Sequence, residues 1–151
     1  MRNELFIKAC YAGAAILPFR IVKHGAADAF AIQSAAAGDA SFGVSDSLGA
    51  AAANDPVDII RGGIAEVIYG GTVTRGDALT SDAQGRAVAT TTGGARIIGF
   101  AEVSGVVGDR GSVFIAPGFV GVAGASPFPP TLPDRTRGPP CSCVLSRPIR
   151  A

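Results

Sequence analysis

The sequence contains no tryptophan and a single histidine, His24, among its 151 residues. A Ser-His-Asp or Cys-His catalytic centre would have to use that one imidazole. His24 lies between a lysine and a glycine, where a histidine on a surface turn is the simpler interpretation. The aspartates nearly all stand beside glycine, serine or proline, where a short carboxylate caps a turn. The sequence therefore predicts a protein that is not an enzyme.

Metal and cofactor sites are also not expected. The three cysteines, Cys10, Cys141 and Cys143, are odd in number and irregularly spaced, unlike a disulfide framework. A Cys-x-Cys pair with one histidine in the chain does not make a zinc site. The phosphate-binding pattern Gly-x-x-x-x-Gly-Lys is missing as well.

Charged residues are scarce, at 17% of the chain against roughly 25% in an ordinary soluble domain. Mean hydropathy is +0.36, yet no apolar run reaches the roughly 18 residues of a membrane span. The hydrophobicity is divided into short, strand-sized segments, and no membrane partner is expected. A surface so poor in charge favours coverage by other copies of the chain or by a partner. A small, tightly packed β domain rich in alanine and glycine is the alternative.

The few charges are unevenly distributed. Residues 1–118 hold 9 basic and 11 acidic side chains, whereas residues 119–151 hold four arginines and one aspartate. The net charge is only +1, and the basic residues are not interleaved with aromatic ones. Nucleic acid is therefore not an expected partner.

Short apolar segments between glycine and aspartate turns predict an all-β domain, either a small β-barrel or a β-sandwich, with extended terminal arms. Residues 1–15 are expected to form an arm or a first strand, and residues 46–55 a short helical turn or a loop. Alternation within residues 96–103 predicts that Ile98 and Phe100 share a face. Pro117 is expected to end the last strand. Strands are predicted at residues 16–23, 29–33, 41–44, 57–60, 64–69, 72–74, 78–80, 86–90, 96–103 and 112–116.

A change of character follows Pro117. Seven of the ten prolines fall within residues 127–148, which favours an extended, polyproline-like segment. The sequence thus divides into a β-rich domain, residues 1–118, and a Pro- and Arg-rich arm, residues 119–151. Because proline lowers the entropy of a free arm, docking of this arm on a neighbouring subunit is expected.

Three segments together resemble the capsid cement, or head decoration, proteins of tailed bacteriophages. Residues 71–88 contain the pattern Gly-Asp-x-Leu-Thr-Ser-Asp-x-x-Gly-Arg-Ala, which recurs in that family. Residues 97–101 and 111–115 are similar to the two strands that follow it there. The resemblance covers residues 5–118 and does not extend to the arm.

This resemblance implies a structural virion protein without cofactors, assembled in the host cytoplasm and located on the outer surface of the capsid. Its implied partners are the major capsid protein and two further copies of itself, at threefold and quasi-threefold positions. A small β-barrel that recognises carbohydrate is the alternative function. Such sites use exposed aromatic platforms, and the chain has only Tyr11 and Tyr69 besides its phenylalanines.

The two ends of the chain are the predicted contact regions. The N-terminal segment offers apolar anchors and the arm offers apolar residues with arginines. Core packing is the alternative role for Phe6 and Tyr11. The predicted interface residues are Leu5, Phe6, Tyr11, Phe119, Phe128, Leu132, Arg135 and Arg137.

Overall fold

The computed structural model describes residues 2–122, which form nine β-strands and no helix. The predicted all-β class is therefore confirmed. Within these residues no helix could cross a membrane. The strands are β1 (Asn3–Ala12), β2 (Ile21–His24), β3 (Phe30–Gln33), β4 (Ser41–Ser45), β5 (Pro56–Ile68), β6 (Ala78–Ser81), β7 (Ala87–Ala89), β8 (Arg96–Ala101) and β9 (Arg110–Phe119).

All nine strands belong to one mixed sheet, in the order β1-β3-β2-β4-β5-β9-β8-β6-β7. The first strand is part of this sheet and not a separate arm. It pairs in parallel with β3 and antiparallel with β5, and this double pairing closes five strands into a ring. The other four strands continue from β5, and a bridge between Tyr69 and Ala87 returns β7 to the end of β5.

The longest strand, β5, passes through a glycine pair that the sequence suggested as a connection between two strands. Gly63 has a φ of +87°, and a β-carbon there would collide with the backbone oxygen of Asn3. Glycine tolerates both conditions without a steric clash. Register shifts against β1 occur at the same place, so the pair bends one continuous strand.

Two clusters of buried side chains share the layer formed by β2, β4 and β5. Neighbouring residues of β2 go to different clusters, with Val22 in one and Ile21 in the other. Ile59 and Ile60 of β5 divide in the same way. The cluster that contains Val22 and Ile59 draws only on β1–β5 and their loops, so it fills the ring. The cluster that contains Ile21 and Ile60 continues into β6–β9, which therefore pack over the outside of the ring.

The turn between β6 and β7 attaches the second half of the sheet to the ring. Asp82 Oδ1 accepts hydrogen bonds of 2.8 Å from the backbone N–H groups of Gln84 and Arg86. Asp82 Oδ2 accepts a third, of 2.7 Å, from Arg86 Nε. The carbonyl oxygen of Gly85 accepts a 2.7 Å bond from the N–H of Ile21, at the start of β2. The Ser-Asp-x-x-Gly-Arg part of the sequence pattern thus forms the turn that connects the outer strands to the ring.

The strand predicted at residues 16–23 begins only at Ile21. Phe19 has a φ of +57°, outside the β region. The hydroxyl of Ser45 donates to the Leu17 carbonyl at 2.8 Å and accepts from the Arg20 N–H at 2.9 Å. These side-chain bonds replace a ladder partner, and they could not be seen in the local sequence.

Pro117 does not end the last strand, because β9 continues to Phe119. The ladder between β8 and β9 shifts register between Ile97 and Gly99. Such an irregularity tolerates a residue without an N–H donor. The shift also disrupts the expected alternation. Ile98 is 1% exposed and Phe100 is 43% exposed, so the prediction that they share a face is wrong.

Two further predictions concern segments that lie in loops. Residues 46–55 form turns and bends, which is the loop alternative. Of the strand predicted at residues 72–74, only Val73 pairs, in an isolated bridge with Gly105.

Replacing Asp82 with alanine is expected to lower the free energy of unfolding by about 2–4 kcal/mol, because it removes three hydrogen bonds from a partly buried carboxylate. Urea unfolding measures the change. Asp58→Ala is the matched control, since Asp58 is an exposed residue of β5. Equal losses in the two variants would contradict the role assigned to the turn.

Stability is also expected to fall in acid. Burial alone would raise the pKa of Asp82, but the hydrogen bonds from Arg86 and Gln84 hold this pKa below its ordinary value of 3.8. The hydrogen bond from Lys23 lowers the pKa of Asp39 in the same direction. Carboxylates with depressed pKa values stabilise the fold above their unfolded pKa, and this contribution is lost as the pH falls through the folded value. The thermal midpoint should therefore decrease as the pH is lowered beneath 3.8. This decrease should be smaller in Asp82→Asn and in Asp39→Asn, as calorimetry across the acid range would show.

Candidate docking surface

The surface of residues 2–122 carries many uncovered apolar side chains. Thirteen large ones are at least 42% exposed. They concentrate on β1, on β8 and β9, and on the loop at residues 103–107. Single exposed apolar residues are normal, but groups of them mark surfaces that meet another molecule.

The first half of β1 is uncovered on both of its faces. Leu5, Phe6 and Ile7 are 78%, 59% and 50% exposed, although consecutive residues of a strand point to opposite sides. Within the described chain this half of β1 pairs only with β5, since β3 joins at Tyr11 and Ala12. Register shifts around Phe6 distort the open edge, which discourages uncontrolled strand pairing.

An apolar band crosses the sheet from β1 to β8. Phe6 lies opposite Gly62 on β5, and Ile64 is two residues further along that strand. Ile64 pairs with Phe114 on β9, and Phe114 pairs with Phe100 on β8. Paired residues project on the same side of a sheet. Ile64, Phe114 and Phe100 therefore project on one side of the sheet. Together with the exposed Phe6, which lies on the other side of the bend at Gly62 and Gly63, they are called the apolar band.

The structure places four of the predicted interface residues at the surface. Tyr11 is 53% exposed and packs against Phe30, with ring centroids 5.9 Å apart. Tyr11 lies near the C-terminal end of β1, whereas Leu5 and Phe6 lie near its N-terminal end. Phe119 is 63% exposed, at the end of β9 and under the guanidinium of Arg96. The core alternative for Phe6 and Tyr11 is wrong, because both side chains are exposed.

The other predicted interface residues, Phe128, Leu132, Arg135 and Arg137, lie outside the described residues.

Sequence reasoning missed the largest part of the band. Alternation predicts that Phe100 shares a face with Ile98. Nothing in the local sequence distinguishes Phe114 from the other residues of the last strand. Local alternation could not identify them, because the register shift in β8–β9 decides which residues point outward. The direct pairing of two phenylalanines needs the topology of the sheet.

Residues 2–122 contain no group of three His, Cys, Asp or Glu side chains that could hold a metal ion. Arg75-Gly76-Asp77, which spells an adhesion tripeptide, forms a turn. There the Asp77 carboxylate accepts a 2.8 Å hydrogen bond from the N–H of Thr74, and Gly76 has a φ of +94°. The tripeptide therefore serves the turn.

The fold is similar to the base of a phage head fiber. The structure matches the crystal structure of head fiber gp8.5 N base in bacteriophage phi29 with a TM-score of 0.60 and 20% sequence identity. The match covers 74% of this chain and 93% of the other. No protein family model matches the sequence, and no curated protein matches it either. The likeness therefore concerns the fold, and membership of the capsid cement family stays a prediction.

The band is expected to be dispensable for folding. The substitutions Phe100→Ser and Phe114→Ser should each lower the free energy of unfolding by only about 1 kcal/mol, because nearly half of each side chain is already exposed. The double variant should also show reduced binding of an apolar fluorescent dye. Ile98→Ser, in the same strand but buried, is the control and should cost at least about 3 kcal/mol. A large loss of stability in the double variant would show that the band is part of the core.

Proposed function

We propose that this protein is a non-enzymatic structural component of a bacteriophage head. It binds the outer surface of the capsid and stabilises contacts between major capsid protein subunits, as a cement protein does. It acts as a homotrimer at threefold and quasi-threefold positions. The description of the similar structure as a phage head fiber base supports attachment to a head.

The observation that carries the proposal is the apolar band on a domain with two complete cores. Tyr69, Leu79 and Val113 in one cluster, and Ala12 and Val22 in the other, are shielded from solvent. The phenylalanines of the band are thus not needed to complete either core. Leaving them in water costs roughly 25 cal/mol for each Å² of apolar surface. We assign the band to the capsid surface, where this area becomes buried.

Binding through many copies explains how such a modest surface can hold firmly. A trimer presents three bands to a symmetric site, so the second and third contacts form at high effective concentration. Each contact then resists separation of neighbouring capsid subunits. The arm, residues 119–151, is proposed to lie on a neighbouring subunit and to hold the trimer together.

The purified protein is expected to have three times the chain mass of 15.1 kDa in size-exclusion chromatography with light scattering. It should co-sediment with expanded capsids that lack it, and cryo-electron microscopy should then show density at threefold positions. The variant with Phe100→Ser and Phe114→Ser should lose most of this binding. A monomer that ignores capsids and binds immobilised glycans would instead favour the carbohydrate-recognition alternative.

Deleting residues 123–151 tests the arm. The shortened chain should keep its β structure in circular dichroism, since both described cores and the nine described strands lie within residues 2–122. It should shift from trimer toward monomer and bind capsids more weakly, because multivalent attachment is lost. Replacing only Arg135 and Arg137 with glutamine separates the charge of the arm from its length. Unchanged mass and unchanged incorporation into capsids would contradict the role of the arm.

A further inference from the structure

A cavity of about 400 Å³ lies at the mouth of the five-stranded ring. All five strands of the ring, and the turn between β2 and β3, contribute to it. Its volume is within the range of ligand sites, and barrel mouths are a common position for such sites. The side chains that define its chemistry are Lys8, His24, Asp28, Phe42 and Arg61.

The cavity carries an excess of positive charge. Lys8 and Arg61 bring two basic side chains, and Asp28 brings one acidic side chain. Neither cation takes part in any of the ion pairs that residues 2–122 form. His24 adds an imidazole that can donate hydrogen bonds. Such a lining favours an anion that brings its own oxygen acceptors.

An aromatic side chain holds two of these groups in place. His24 stacks on the ring of Phe42, with centroids 4.1 Å apart and an interplanar angle of 18°. The guanidinium carbon of Arg61 lies 5.0 Å from the centroid of the same ring. Phe42 is itself 8% exposed and belongs to the core of the ring. His24 and Arg61 are therefore positioned before a ligand arrives, which lowers the entropy cost of binding.

The cavity adjoins the apolar band. Lys8 is two residues from Phe6 on β1, so both project on the same face of the strand. Arg61 directly precedes Gly62, the residue opposite Phe6. A ligand that fills the cavity and touches this surface must combine a negative charge with apolar neighbours. A side chain on the surface of a protein meets that description better than a free inorganic ion.

We infer that the cavity receives an aspartate or glutamate side chain from the protein on which the apolar band rests. The identification of that protein with the capsid shell depends on the proposed function, whereas the preference for a carboxylate flanked by apolar residues does not. The contact fixes the rotation of the domain on its partner, since a single charged side chain must enter a single cavity.

The first test uses peptides in place of the shell. The probe is acetyl-Leu-Glu-Leu-Glu-Leu-amide, and its glutamine analogue is the uncharged control. In NMR titrations of the full chain, the glutamate peptide should produce saturable shifts at the backbone amides of Lys8, His24 and Gly25. The glutamine peptide and inorganic phosphate should not. Equal binding of the glutamine peptide, or saturable phosphate binding at the same amides, would overturn the inference.

Charge-removing variants locate the effect. Arg61→Gln and Lys8→Gln should each weaken binding of the glutamate peptide by about tenfold, because each removes one charged hydrogen-bond donor. Lys8 is exposed, so its variant keeps the test valid if Arg61→Gln is poorly folded. Arg75→Gln, an exposed arginine in the turn before β6, is the matched control and should bind like the wild type. Unchanged affinity in the folded charge variants would refute the site.

Binding of the Lys8→Gln variant to capsids separates this inference from the proposed function. If the wild type binds capsids and Lys8→Gln binds them as tightly, the acidic contact is wrong while the head role stands. If the wild type does not bind capsids at all, the head role and the shell as the source of the carboxylate both fail. The peptide titration then still decides whether the cavity selects a carboxylate.

Discussion

The structure depends on a change of partners along β5. Ile59 and Ile60 pair with both β1 and β4, whereas Gly63 and Ile64 pair with both β1 and β9. One strand can serve both halves of the sheet because the glycine pair lets it bend beside β1 without a steric clash. The ring forms before the bend, and the sheet that covers the ring begins after it.

This arrangement buries both faces of the central layer and therefore leaves other surfaces uncovered. The β2-β4-β5 layer supplies side chains to two cores, and the turn at Asp82 secures the outer half to the ring. Nothing within residues 2–122 then remains to cover the first half of β1 or the outward phenylalanines of β8 and β9. The apolar band follows from the topology, and the positive cavity lies beside it because Phe6 and Lys8 share a face of β1.

Much of the element order could be predicted, because it depends on local chemistry. Glycine and aspartate turns separate short apolar runs, and the strands at Phe30–Gln33, Ser41–Ser45 and Ala78–Ser81 lie close to their predicted positions. Leu5, Phe6 and Tyr11 are exposed, as contact residues must be, and their role as contacts stays a prediction. What could not be predicted depends on partners distant in sequence. Ser45 displaces the start of β2, and the ladder between β8 and β9 reverses the expected direction of Phe100.

The same division applies to the protein as a whole. The sequence by itself determined an all-β chain with little charge, turns closed by short carboxylates, and no array of histidines or cysteines suited to catalysis. These properties belong to single residues and their neighbours, so they do not depend on which strands pair. Only the tertiary structure decided that β1 closes a ring, that Ile64, Phe114 and Phe100 align, and that Lys8, His24 and Arg61 line one cavity. Sheet pairing joins residues more than fifty positions apart, and one shift of register moves a side chain from the core to the surface.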